Sequence, residues 1–462
     1  MGYEGEPTRH LSLKRIVNNA KVKELHGRIK RRPATHENPG SSFLSPSDTR
    51  TIKATGAGQP AFVVALDSSS NSFEFDDGFP GATAGYLTSV AVVIRFSELI
   101  AAHKAGGIAP EKFRELKQIQ SSEAVIPGIG LIIDDCEDEQ ESFRLALYEM
   151  MEVQDPIGDG GESLLETYEA LIEDRIGKET DLECPHSNGN SECQGSAGFI
   201  LNKGCYFCPC PLKKRLRSTD WLRLSDGLNS ESHSNAVNEA AEFIQKLTLL
   251  NVLRFMERSN ALLAAPGIAF VIDGPLSVPG LVASMQPLVV NELMRINDKV
   301  RATSGTDLLV LGIEKSGRFV NHFQRIEREH QKRHSQELPR GSLLLLDNAY
   351  IRRNIIPGKK PFGESSSFGR RILYRNIHGV NIVASLPFLR EGDEDIVRTA
   401  EQSQFPRLPD VLALLDDIWS RQYDNGVMPL IVAHAEAAIP LHLGAKVFAQ
   451  MLKEGWARPV AK

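Results

Sequence analysis

No stretch of this 462-residue chain approaches the roughly 20 consecutive apolar residues of a membrane-spanning helix, which excludes a protein anchored by such helices. Nor is there a secretory apolar region after Met1. The first apolar residues are scattered among Arg9, Lys14 and Arg15, so the expected location is the cytosol. An excess of charge of one sign is also missing. Lys plus Arg number 53 against 59 Asp plus Glu, a formal −6, so attraction to nucleic acid must come from local basic patches. No internal repeat is evident. Cysteine is scarce outside one place: of six, five lie between Cys184 and Cys210 and Cys136 stands apart, a distribution closer to metal ligation than to a disulfide framework. What remains is a globular composition long enough for one to three domains.

Two short stretches carry the chemistry. In Ala269-Phe-Val-Ile-Asp273-Gly-Pro-Leu276, an apolar run bounded by Pro266-Gly267 and Asp273-Gly274-Pro275 reads as a central strand of a helix-covered sheet, with an acid presented at its end. Phe62-Val-Val-Ala-Leu-Asp67-Ser-Ser-Ser repeats that grammar far upstream. Two strand-end aspartates in one sheet can meet at one site, and paired carboxylates suit a divalent cation. Taken singly, both are also ordinary turn formers.

Residues 1–60 read as a basic arm and linker. Lys14, Arg15, Lys21, Lys23, Arg28, Lys30, Arg31 and Arg32 precede a stretch rich in Pro, Gly, Ser and Asn. Leu11, Leu13, Ile16, Val17 and Val22 would line one side of a helix that contacts DNA phosphates or a partner, or is simply solvated. Residues 62–66 and 87–96 predict an antiparallel hairpin, and residues 111–119, 139–152 and 162–173 predict acidic surface helices. The region 137–225 reads as an insertion holding a cysteine loop at 184–210. Cys184, Cys193, Cys205, Cys208 and Cys210, with His186 as a substitute, would supply a closed four-ligand structural zinc site; unligated reduced thiols are the alternative. The basic run Lys213, Lys214, Arg215 and Arg217 follows.

A long helix capped by Ser234 or Asn235 carries Val237, Ala241, Ile244, Leu247, Leu250 and Leu253 at helical spacing and stops before Pro266. Its Glu239, Glu242 or Glu257 could add a third acid to the aspartate pair. After the strand at 307–313, Lys315 stands beside a helix start with Ser316 and Gly317, a place suited to an oxyanion or phosphate. Lys315, Arg318, and Arg370 and Arg371 at the end of a basic, flexible loop at 359–371, are the candidate DNA contacts. Residues 428–436 read as a strand running into a helix with His434 at the junction, a candidate third ligand or proton-handling group.

In order, these motifs resemble the NurA nuclease family, in its longer bacterial branch. The matching pieces are Ala65-Leu-Asp67-Ser-Ser with Gly85-Tyr-Leu, the cysteine cluster leading to Ser218-Thr-Asp220-Trp-Leu-Arg223, Phe270-Val-Ile-Asp273-Gly-Pro-Leu276, Gly312-Ile-Glu-Lys315-Ser, and Ala433-His434-Ala-Glu436. The resemblance implies an α/β, RNase H-like mixed sheet flanked by helices across residues 61–462. It implies a Mn2+- or Mg2+-dependent deoxyribonuclease that works as a homodimer on a hexameric HerA-type ATPase, in repair or in defence against foreign DNA. Asp67 and Asp273 would be metal-binding carboxylates, His434 the C-terminal ligand and Lys315 a phosphate contact. One departure stands out. Where relatives resemble a Glu-x-Leu pattern on the long helix, this chain has Gln245-Lys-Leu247, so that Glu242 or Glu257 substitutes or the site is weakened. Two rivals follow: a nuclease-shaped adaptor that docks DNA onto the ATPase without cutting it, and a zinc-dependent DNA-binding protein with a purely structural sheet.

Overall fold

The computed structural model describes residues 18–28, 49–51, 59–75, 81–104, 117–153, 161–187, 193, 198–226, 228, 232–333, 338–392, 400–420, 426–438 and 450. The chain divides into two compact units, Met1–Ser45 and Pro46–Lys462. In the first, the described element is helix α1 (Ala20–Arg28), with Val22 exposed and Glu24 paired with Arg28 at 3.5 Å. The upstream apolar positions expected to share its face lie outside the described residues.

In the second unit the order is β1 (Thr49–Thr51), β2 (Phe62–Phe75), β3 (Ala82–Arg95), α2 (Phe96–Lys104), β4 (Lys117–Pro127), α3 (Glu139–Glu152), α4 (Leu164–Leu171), β5 (Cys205–Phe207), β6 (Arg215–Arg217), α5 (His233–Arg258), β7 (Ile268–Asp273), α6 (Gln286–Ser304), β8 (Leu309–Glu314), α7 (Arg318–Arg333), β9 (Ser342–Leu345), α8 (Asn348–Asn354), β10 (Gly369–Arg375), β11 (Asn381–Pro387), α9 (Leu408–Ile418) and α10 (Met428–Ala437). Nine strands form one mixed sheet in the order β1-β9-β10-β11-β8-β7-β2-β3-β4, and β5 and β6 pair separately. The centre, β2-β7-β8, is parallel, and antiparallel strands extend it on both sides. Among the described residues no helix is long and apolar enough to cross a membrane.

Strand alternation divides the core. Val64, Leu66, Phe270 and Ile272 point to one face, where Val237, Ile244, Leu247 and Leu250 of α5 cover them. Val63, Ala65, Ala269 and Val271 point to the other, against Leu412 and Leu415 of α9 and Leu430 and Ala433 of α10. Each fully buried Leu or Val contributes roughly 1.5–3 kcal/mol, which binds the helices to both faces. Asp67 and Asp273 continue the second alternation, so they fall on the face that α10 covers.

Several elements depart from the sequence reading. The first strand does not end at Asp67. It pairs with β3 residue for residue from Phe62 opposite Arg95 to Phe75 opposite Ala82, so Asp67 sits within a long strand whose polar half the hairpin holds extended. Residues 117–119, expected in a helix, begin β4 as the third strand of this meander. Helices α3 and α4 exist where expected, each with an N-cap, Asp138 or Ser163. They are not surface helices, because Phe143, Leu147, Met151, Leu164 and Tyr168 are buried. Residues 428–433 are helical throughout. Pro429 sits in the first turn of α10, where its missing N–H costs nothing, and His434 lies in the last turn. The end of the segment 359–371 is no flexible loop, since Gly369, Arg370 and Arg371 open β10.

One close approach sets the turn after Asp273. A Cβ on Gly312 of β8 would lie 2.5 Å from the carbonyl oxygen of Gly274 and 2.6 Å from Oγ of Ser385. Gly274 N–H in turn donates to Ile313 O at 2.8 Å. Gly312→Ala is expected to push this turn off β8 at a cost of about 1–3 kcal/mol, measured by urea unfolding. An unchanged midpoint would show that the turn is not held by this contact.

Candidate metal centre

The parallel register brings the two aspartates together. Leu66 of β2 is level with Ile272 of β7, so the next residues, Asp67 and Asp273, stand side by side on one face. Asp273 is level with Ile313 of β8, which sets Lys315 just beyond the same strand ends. From above, the last turn of α10 adds His434. Ligand atoms of Asp67, Asp273 and His434 all lie within 4.8 Å of one another.

The hydrogen bonds assign roles. Asp67 is 3% exposed; its Oδ1 accepts the N–H of Ser68 at 2.7 Å and its Oδ2 lies 3.0 Å from His434 Nδ1. In a neutral imidazole that donates Nδ1–H to the carboxylate, the lone pair that can bind a metal is on Nε2. Lys315 Nζ donates to Asp273 Oδ2 at 2.6 Å. Burial raises the Asp273 carboxyl above its ordinary range, the Asp67 charge adds to this, and Lys315 opposes it. His434 is raised above its usual value, first by the hydrogen bond to Asp67, with partial burial opposing. Two like charges held this close favour either a shared proton or a cation. Two carboxylates and an imidazole are the donors of a hard or borderline divalent ion, and Mn2+ or Mg2+ fits this set.

The opposite face holds what the sequence did not reveal. Gln245 of α5, 2% exposed, donates its Nε2 to two carbonyls, Leu66 O and Asp273 O, each at 3.2 Å. It is a clamp between the interior of β2 and the end of β7. Its Oε1 accepts a hydrogen bond from Lys246 Nζ. Lys246 is fully buried, and loss of water lowers its pKa to about 8 while Glu242, Asp273 and Asp67 pull it back up. No periodicity could have singled it out, because α5 is buried on all sides from Phe243 to Leu250.

Other candidates take different places. Glu242 is exposed and accepts from Asn238 Nδ2 at 3.1 Å, outside the three-residue group. Glu257 is held by Arg295 at 2.7 and 2.9 Å and by Lys299, so it is a structural ion-pair partner and not a third acid. Glu239 accepts the N–H of Leu281 at 2.7 Å. Arg318 is exposed at the start of α7, next to Lys315. Arg370 and Arg371 are corrected: both point inward. The Arg371 guanidinium lies 4.6 Å from the Phe319 ring centre and 4.9 Å from that of Phe362 and pairs with Glu314; Arg370 is 3% exposed and faces Asn348. Neither is available to a phosphate backbone. Cys205 is exposed, whereas Cys184, Cys193, Cys208 and Cys210 are buried.

The sequence matches no family model and no curated protein. Among solved structures, the chain is similar to the crystal structure of the NurA nuclease from Sulfolobus solfataricus, at 13% identity and a TM-score of 0.31, over 98% of this chain and 100% of that one. A second NurA crystal structure is 10% identical with a TM-score of 0.29, over 97% and 98% of the two chains. A NurA crystal structure with manganese is 11% identical with a TM-score of 0.24, over 97% and 99%. Superpositions this loose assign no residue a role here.

Two substitutions separate structure from ligation. Gln245→Glu replaces a double donor by an acceptor facing two carbonyls. It should cost about 1–3 kcal/mol in urea unfolding and gain no Mn2+ affinity by calorimetry. Tighter Mn2+ binding would restore Gln245 to the ligand set. Glu257 is depressed to about 2, chiefly by its hydrogen bonds to Arg295. Its contribution is therefore full above the unfolded carboxylate value and is lost as pH falls through about 2. Glu257→Gln should cost about 1 kcal/mol near neutral pH, discounted for the partly exposed Arg295, and the gap from wild type should close in acid. A gap independent of pH would refute the ion-pair assignment.

Proposed function

We propose that this chain is a divalent-cation-dependent deoxyribonuclease whose cation is held by Asp67, Asp273 and His434. One observation carries the reading: two aspartates far apart in sequence and one histidine bring ligand atoms within 4.8 Å of one another, with a lysine bonded to one of the acids. The strand order adds support. In β4-β3-β2-β7-β8 an antiparallel meander is followed by two parallel strands, with the acids on the first and fourth strands in chain order, as expected of an RNase H-like sheet. DNA as substrate, and manganese as the favoured ion, rest on the family resemblance of the five motifs and on the donor chemistry.

Bound there, a divalent cation would polarise a phosphoryl oxygen and lower the pKa of a water enough for attack near neutral pH. The chain's own residues do the rest. Asp67 is fixed by Ser68 and His434, so its carboxylate loses little freedom when it binds an ion. Lys315 neutralises Asp273 in the free protein, and once a cation takes over that charge its ammonium is available to a substrate phosphate. Exposed Arg318, at the start of α7, is the nearest further cation in sequence for the DNA backbone.

The same resemblance supports assembly as a homodimer on a hexameric HerA-like ATPase, and co-purification with such a partner tests it. For the chemistry, labelled single- and double-stranded DNA incubated with Mn2+ should yield cleavage products. Asp67→Asn and Asp273→Asn should each lose more than the roughly 10–100-fold that removal of a residue merely orienting a ligand costs, with unchanged circular dichroism. Full activity in either variant overturns the proposed site. Absence of product from the wild type, with and without the ATPase, favours the adaptor that docks DNA without cutting it.

A further inference from the structure

Four buried cysteines stand apart from the acidic group, in the region between α4 and α5. We propose that Cys184, Cys193, Cys208 and Cys210 together bind one zinc ion, and that neither Cys205 nor His186 belongs to the set. Burial makes the selection: the four are 2%, 3%, 4% and 6% exposed, while Cys205 faces solvent and Cys136 is intermediate. The turn at Cys184 lies against the 208–210 turn, because His186 Nε2 reaches Arg215 O at 2.9 Å and Arg215 pairs with Phe207, the residue before Cys208. The sulfurs are not already grouped as a metal site, and an ion at their centre, with Zn–S distances of about 2.3 Å, would draw them into a tetrahedron.

The turns that carry the cysteines are tight: Cys208 N–H bonds Lys214 O at 2.8 Å, Lys213 N–H bonds Cys210 O at 3.0 Å, and Ser187 N–H bonds Cys184 O at 2.8 Å. His186 is committed elsewhere, with its Nε2 at 2.9 Å from Arg215 O and 3.0 Å from an Arg144 nitrogen.

The segment also needs a fastener. Between α4 and α5 its described strands are β5 and β6, of three residues each, a pairing too short to hold itself. Four thiolates exclude hard cations and select zinc, or iron in a rubredoxin-like centre. With no open coordination position, the ion is structural and ties residues around 184 and 193 to the 208–210 turn.

The test is the metal content of the purified full-length chain by mass spectrometry. One zinc per chain is expected, retained in Cys205→Ser and Cys136→Ser and lost in Cys184→Ser and Cys208→Ser. Should the last two fail to fold, titration of the wild type with an organomercurial gives the same answer. Zinc release, followed with pyridylazoresorcinol, should lag until the exposed thiols are consumed and then track the buried four. A chain free of zinc after refolding in its presence, iron in its place, or zinc loss in Cys205→Ser would each overturn the proposal. None of these outcomes touches the Asp67 and Asp273 site.

Discussion

Everything at the candidate metal centre depends on the parallel pairing of β2 with β7. Two carboxylates in water repel each other, and a chain free to choose would keep them apart. Here the backbone ladder leaves no choice: with Leu66 level with Ile272, Asp67 and Asp273 follow on the same face. Apolar burial on both sides of the sheet supplies the free energy that keeps them there, through α5 on one face and α9 and α10 on the other. The repulsion is then relieved locally, by Lys315 on Asp273 and by His434 on Asp67. Such an arrangement favours any process that brings in further positive charge.

The two faces of the sheet divide the work. On the α10 side stand the ionisable groups that can meet a ligand, with the His434 side chain 61% exposed and Asp67 almost wholly covered. On the α5 side the backbones of the same two strands are held by neutral hydrogen bonds from Gln245, which also receives the buried Lys246. An acid at position 245 would face two carbonyls and add a third negative charge. A glutamine there satisfies both carbonyls and leaves the charge unchanged. Two cations elsewhere, one buried and one half-buried, are matched by partners in the same way. Arg371 is matched by Glu314 and two aromatic rings, and Arg254 by Glu162 and Glu292.

Much of this was legible residue by residue. The short apolar runs ending in Asp273 and leading to Lys315 read as strands because few other structures suit four to six apolar residues between turn formers. The spacing of Val237, Ile244, Leu247 and Leu250 announced α5. The differences have a common cause: tertiary partners outweighed local pattern. Pairing with β3 carried β2 through Ser68, Ser69, Ser70 and Asn71, residues that alone read as a turn. Met428 to Ala433 is apolar enough for a buried strand or a buried helix, and packing against β2 and β3 selected the helix. Arg370 and Arg371 looked like surface cations because sequence records charge and not the rings and carboxylate waiting for it.

The sequence by itself determined which residues are candidates for chemistry: two aspartates after apolar runs, a lysine and a histidine beside others, and a group of cysteines at ligand-like spacing. Those are properties of side-chain type and local order, and one dimension suffices to express them. Tertiary structure alone decided which of them meet. Convergence of Asp67, Asp273 and His434 requires a particular strand register and a helix laid over it, while exclusion of Glu257, Arg370 and Arg371 requires partners elsewhere in the chain. Both are outcomes of burying the largest apolar area at once, and no local stretch contains that information.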